Sequence, residues 1–164
     1  MNQPNDLTIL ANGTIFASDP DWSKDSGQLW RIDTNGTTTL LASGMGTTNG
    51  IEVSPDNKTL YVNESVQRVI WKFDIDATGN ISNKRVFKQF TDGGLDGMRA
   101  DPNGNVYVAR YGTGTVIVLS PAGVQLHEIR LLGTNPTNVT LSKDYKKCYV
   151  TLQDKHWVEV FNIE

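Results

Sequence analysis

The chain has too little cysteine for an internal cross-link: Cys148 stands alone, so a disulfide within the chain is excluded. No stretch approaches the roughly 18 apolar residues of a membrane span. The opening Met1-Asn2-Gln3-Pro4 lacks the apolar core of a signal peptide. Positive charge is not in excess either. Fifteen Lys and Arg stand against 18 Asp and Glu, so no basic surface points to nucleic acid. Histidine is scarce, with only His127 and His156. Phosphate-cradling glycine loops, zinc-finger spacings and nucleophile elbows are missing. No segment sustains an apolar period of 3.6 residues, so almost no helix is expected. Together these gaps predict a cytoplasmic protein without membrane or nucleic-acid partners. Six Asn-x-Ser/Thr triplets, at Asn12, Asn35, Asn57, Asn63, Asn80 and Asn138, are read as turn chemistry.

What the chain does contain is a repeat. Asn5-Asp6-Leu7-Thr8-Ile9 with Gly13-Thr14-Ile15-Phe16-Ala17 aligns with Asn49-Gly50-Ile51-Glu52-Val53 and Lys58-Thr59-Leu60-Tyr61-Val62. The same pattern returns in Asp96-Gly97-Met98-Arg99-Ala100 with Asn105-Val106-Tyr107-Val108, and in Thr137-Asn138-Val139-Thr140-Leu141 with Cys148-Tyr149-Val150. The segments start at 5, 49, 96 and 137. Each reads as strand, tight turn, strand, because alternating apolar residues flank a Gly, Asn or Asp turn. A second hairpin turn ends in Gly36, Gly79 and Gly123, again at intervals of 43 and 44 residues. Four strands in about 44 residues is the period of a propeller blade. A β-sandwich or a simple meander also has short strands and regular turns. Neither requires the same residue column to return at that interval.

The predicted fold is therefore all-β, a β-propeller of four-stranded antiparallel blades with about 3.75 blades present. Residues 1–164 form one partial propeller domain, with blades near 5–45, 48–90, 95–133 and 136–164. Ring closure normally borrows a strand from the other terminus, so open edges and self-association through them are expected.

Strand parity selects the face that carries chemistry. The start of each first strand shares a face with the loop between strands two and three. That mouth collects Asn5, Asn49, Asp96 and Thr137, all oxygen donors. Hard cations such as Ca²⁺ take several oxygens at about 2.3–2.6 Å, which converging blade ends can supply. The alternative is that each residue caps its strand by bonding nearby backbone amides. The loop from Ser18 to Gly27 carries Trp22 and is the longest, which marks it as a lid or specificity element. Asp19, Asp21, Arg110 and Tyr111 fall on the rim. Cys148 reads as core and His127 as outer surface.

These segments resemble, in order, the blades of the senescence-marker-protein-30/gluconolactonase/luciferin-regenerating-enzyme family. The resemblance rests on Pro4-Asn5-Asp6-Leu7 with Ile15-Phe16-Ala17-Ser18-Asp19-Pro20, on Asn49-Gly50-Ile51 with Ser54-Pro55-Asp56, on Leu95-Asp96-Gly97-Met98 with Asp101-Pro102-Asn103-Gly104, and on Pro136-Thr137-Asn138-Val139. It implies a six-bladed propeller and a metal-dependent hydrolase that opens a sugar-like lactone at a divalent metal in the channel. By that resemblance Asn49 and Asp96 bind the metal, Asp96 is also catalytic, and Asn5 and Asp19 contact substrate. The cofactor it implies is Ca²⁺, with Zn²⁺, Mg²⁺ or Mn²⁺ as alternatives, and the partner is a lactone or sugar acid. The family also uses a Glu ligand from a segment that would precede Met1. One carboxylate, Asp96, then faces the cation, and weak metal binding is expected unless a partner chain supplies the missing charge. The alternative function is a noncatalytic propeller module that binds a small molecule or a protein.

Overall fold

A computed structural model describes residues 1–163. It contains fifteen strands and, among the described residues, no helix. The first sheet is β1 (Leu7–Ile9), β2 (Ile15–Asp21), β3 (Ser26–Ile32) and β4 (Thr38–Met45). The second is β5 (Thr48–Val53), β6 (Thr59–Glu64), β7 (Val69–Ile75) and β8 (Ile81–Gln89). The third is β9 (Met98–Ala100), β10 (Val106–Arg110), β11 (Thr115–Leu119) and β12 (Gln125–Arg130). The last has three strands, β13 (Pro136–Leu141), β14 (Lys147–Leu152) and β15 (Trp157–Asn162). Every sheet is an antiparallel meander in chain order. These are the blades of a β-propeller, three complete and one of three strands, as the repeat predicts.

The repeat has a concrete local cause. The turn between the first two strands closes with the same backbone hydrogen bond in all four sheets: Gly13 to Leu10, Asn57 to Ser54, Gly104 to Asp101 and Tyr145 to Ser142, each donor being the amide. The donor residue sits in the left-handed region each time, with φ of 89°, 59°, 81° and 58°. Glycine reaches that region without penalty and Asn tolerates it, whereas Tyr145 is held there by the hairpin around it.

Apolar side chains fill the seams between neighbouring sheets. Phe16, Leu29, Ile51, Leu60 and Val62 join the first sheet to the second. Ile70, Leu95, Met98, Val106 and Leu119 join the second to the third. Val116, Val139, Cys148 and Val150 join the third to the fourth. Cys148 is buried in that last seam, and burial pushes its thiol up to about 12. The alternation of buried and exposed residues along β14, with Cys148, Val150 and Leu152 inward, is the period-two pattern of a half-buried strand. The packed seams stack the sheets so that β1, β5, β9 and β13 stand side by side along the channel.

One expected feature is corrected. The segment from Ser18 to Gly27 is not a long loop. β2 continues to Asp21 and β3 starts at Ser26, with Ser18 paired to Leu29 and Asp19 to Gln28. Only Trp22–Asp25 lies outside the ladder, as short as the matching turns in the other blades. Pro20 interrupts the apolar pattern here but sits at a ladder position opposite Gly27.

Candidate active site at the channel mouth

Two of the four residues expected at the mouth, Asn49 and Asp96, have neighbours that make chemistry possible. Asn49 lies at the start of β5, in a bulged stretch between Thr48 and Ile51, and is 3% exposed. Its Nδ2 donates to the Leu95 carbonyl at 3.4 Å, and its amide also stabilises the Asp96 carboxylate. Its Oδ1 is buried and has no hydrogen-bond partner among the described residues. Asp96 stands just before β9, with its backbone amide bonded to the Ala109 carbonyl and the next amide, Gly97, bonded to Thr137. Burial pushes the Asp96 carboxyl up to about 7, against the Gly97 amide and the Asn49 side chain, which favour its charged form.

A second carboxylate joins it. Asp6 lies close enough to push the Asp96 carboxyl further up, as like charges do. Asp6 Oδ1 accepts from the Leu7 amide at 2.9 Å and Oδ2 from the Ile51 amide at 3.3 Å, so its side chain reaches across from β1 to β5. Burial raises its pKa too, opposed by those amides and by Arg99. The mouth therefore holds two carboxylates, where the alignment of motifs predicts one.

Asn63, at the end of β6, is the second unexpected member. It is fully buried; its Nδ2 donates to the Asp96 carbonyl at 2.6 Å, and its Oδ1 has no partner among the described residues. Two buried amide oxygens without donors among the described residues are costly, because an unpaired buried acceptor costs about 1–3 kcal/mol. A hard cation is a group that such oxygens suit.

Below the mouth, Glu52 of β5 bonds both neighbouring inner strands. It accepts from Thr8 Oγ1 of β1 at 3.2 Å, from the Ala100 amide of β9 at 3.0 Å and from Arg99 at 3.3 Å. Burial raises its pKa, and Arg99 is the main opposing influence. This one side chain ties three inner strands together.

The other expected residues are placed differently. Asn5 is exposed at the mouth, with its backbone amide bonded to the Ser18 carbonyl at 3.0 Å. Asp19 is fully buried, and its oxygens are taken up by the chain itself. Oδ1 accepts from the Asn2 and Gln3 amides, both at 2.7 Å, and Oδ2 from Trp30 Nε1 at 2.9 Å. The Thr137 hydroxyl pairs with Thr151 at 2.7 Å instead of joining the carboxylates. Arg110 is buried under Phe90, 3.9 Å from its ring centroid, and bonds Asp92, so it is not an exposed rim group. Tyr111 bonds Gln153 at 2.7 Å. Among the described residues, no group of three or more His, Cys, Asp and Glu side chains converges on one point.

Sequence signals for the missed residues exist in hindsight. Asn63 is a lone amide closing the apolar run Leu60-Tyr61-Val62, and Asp6 adjoins Asn5 in the first repeat. Neither signal says which way the side chain turns.

The profile of the family described as SMP-30/Gluconolactonase/LRE-like region matches residues 1–154. The chain belongs to this family. Within it, a pentonolactonase of Haloferax volcanii is 29% identical over 151 residues, which cover 90% of this chain and 52% of that protein. Regucalcin of Pongo abelii is 38% identical over 108 residues, 63% of this chain and 36% of that protein. A solved gluconolactonase of Xanthomonas campestris superposes with a TM-score of 0.81 at 26% identity, covering 92% of this chain and 54% of that one. The chain thus spans about half the length of these lactonases.

Proposed function

We propose that the channel mouth is the site of a lactone hydrolase of the gluconolactonase type, with a sugar-like lactone as substrate. The observation that carries this reading is the meeting of the Asp96 carboxyl with Asp6 and with the side chain of Asn49, whose Oδ1 has no hydrogen-bond partner among the described residues. The lactonases among the relatives support the reaction class.

Asn49 and Asp96 would hold a divalent cation, Ca²⁺ foremost, with Asp6 adding negative charge nearby. When bound, the cation polarises a lactone carbonyl and acidifies water. Burial pushes the Asp96 carboxyl up to about 7 in the metal-free site; a bound cation would favour its charged form, in which it could accept a proton from water. Asn5, exposed at the mouth, orients the lactone. Asp19 acts behind it, by anchoring the Asn2–Gln3 segment that leads into Asn5. Asn49 keeps the Asp96 carboxylate available in its charged form.

A calorimetric titration with Ca²⁺ and then Zn²⁺, run beside Asp96→Ala, tests the site, and hydrolysis of glucono- and pentonolactones tests the reaction. Binding that vanishes in Asp96→Ala, together with hydrolysis by the wild type, is the expected outcome. No cation binding by the wild type overturns the reading. Cation binding without hydrolysis would favour a noncatalytic module, a reading that the amide-rich, charge-poor donor set also accommodates.

A further inference from the structure

Asp96 is carried by an irregular stretch, and something must hold it. The segment before it contains Gly93, in the left-handed region with φ of 57°, and Gly94. Neither has a side chain to anchor the loop, and glycine leaves the backbone with the most freedom to lose. The stretch is fixed by backbone bonds to β10 and the turn after it and to β13: Gly94 amide to Tyr111, Asp96 amide to Ala109 and Gly97 amide to Thr137. From the other seam the Asp96 carbonyl meets the Asn63 amide group at 2.6 Å.

Asn63 belongs to the neighbouring blade. It lies on β6, paired with Ile70 of β7, and is fully buried. The contact is possible because residue 50 has no side chain: a Cβ there would collide with the Asp96 carbonyl and stand 2.7 Å from Asn63 Nδ2. Three residues from two blades therefore form one clamp, in which Gly50 leaves the space, Asn63 supplies the donor and Asp96 supplies the acceptor. Glue between blades would be served as well by an apolar side chain, which β6 uses at Leu60 and Val62. A buried amide with one unpaired oxygen is a poor choice for packing alone.

We propose that Asn63 is a positioning residue, which fixes the Asp96 backbone and so aims its carboxylate into the channel mouth. The inference rests on the reading of Asp96 as the central site residue. Groups that orient metal-binding side chains from behind typically change affinity by 10- to 100-fold when removed.

The test uses Asn63→Leu, which keeps the volume and removes the donor, and Asn63→Ser, which is too short to reach the carbonyl and is easier to accommodate. Two quantities are read on the whole chain. The first is Ca²⁺ affinity by calorimetry. The second is amide hydrogen exchange, followed at Asp96 and Gly97 and, as a reference, along β14. The expected result is an affinity loss of about tenfold or more, with faster exchange at Asp96 and Gly97 and unchanged exchange along β14. Wild-type affinity and exchange in a folded Asn63→Ser protein would overturn the proposal. So would faster exchange spread evenly over all four sheets, which is general destabilisation. If the wild type binds no Ca²⁺, the hydrolase reading fails by itself, and exchange at Asp96 and Gly97 still decides whether Asn63 is the clamp.

Discussion

Gly50 and Asp96 are neighbours across a blade seam at a distance that leaves no room for a methyl group. The nearest atom to a Cβ built on Gly50 is the Asp96 backbone oxygen, which belongs to a strand entry and cannot swing aside. Gly50→Ala must therefore shift the segment that carries Asp96. The expected cost is about 1–3 kcal/mol of stability, typical of forced overpacking, together with loss of Ca²⁺ binding. Urea unfolding and calorimetry on the variant measure both.

The raised Asp96 carboxyl makes a signed prediction for the metal-free protein. Its folded value is about 7 and its ordinary value 3.8. The folded state therefore binds more protons than the unfolded chain between those values, and stability falls as pH rises through that window. The slope from one such group is at most about 1.4 kcal/mol per pH unit. Asp6 and Glu52, also raised by burial, act in the same direction. Asp96→Asn is expected to flatten the decline between pH 4 and 7 without abolishing it, as read from denaturation midpoints across that range.

Asp19 is a structural anchor, so its removal should be felt in the fold before it is felt in chemistry. Asp19→Ala leaves the Asn2 and Gln3 amides and the Trp30 indole without their acceptor. A loss of roughly 2–4 kcal/mol is expected for a buried charged acceptor with several donors. The fluorescence of Trp30 should change with it, because its indole N–H would lose its charged partner.

Cys148 should be chemically silent in the native protein. Its thiol is buried in the seam between the third and fourth sheets, and burial pushes it up to about 12. The thiolate is the reactive form. A thiol reagent at pH 8 should modify the chain only after denaturant unfolds it. Rapid modification of the folded protein would contradict the burial of this seam.

Tyr145 occupies the left-handed turn position that Gly13 and Gly104 take in other blades. A bulky residue there costs roughly 1–2 kcal/mol, partly offset by the chain entropy that glycine adds to the unfolded state. Its side chain is exposed, so little packing is lost. Tyr145→Gly is expected to stabilise the protein by about 0.5–1 kcal/mol, which a shift in the urea midpoint at constant slope would reveal.

Much of the fold is legible in the residue order. Turn chemistry is local: a Gly or Asn near residues 13, 57 and 104, between alternating apolar runs, is enough to mark each hairpin, and its return every 40-odd residues marks each blade. The three-stranded last sheet follows from the same count. The length of the Ser18 to Gly27 segment was misread because Asp19, Pro20 and Asp21 look like loop residues. Pairing with Gly27 and Gln28 and the demand of the Asn2, Gln3 and Trp30 donors hold them in β2 instead.

The site divides along the same line. Asn49 and Asp96 could be named from their places at the starts of repeated strands, because strand parity is a property of the chain alone. That Asn63 reaches the Asp96 carbonyl from the next blade and that Glu52 joins β1, β5 and β9 are contacts between residues 33 to 48 positions apart, and the second carboxylate, Asp6, comes from farther still along the chain. Such contacts depend on how far one blade rotates against the next, and that rotation is decided by the packing of the seams. The sequence by itself determined the strands, the turns and the face that carries the oxygen donors. Only the tertiary structure decided which donors meet and which are already taken.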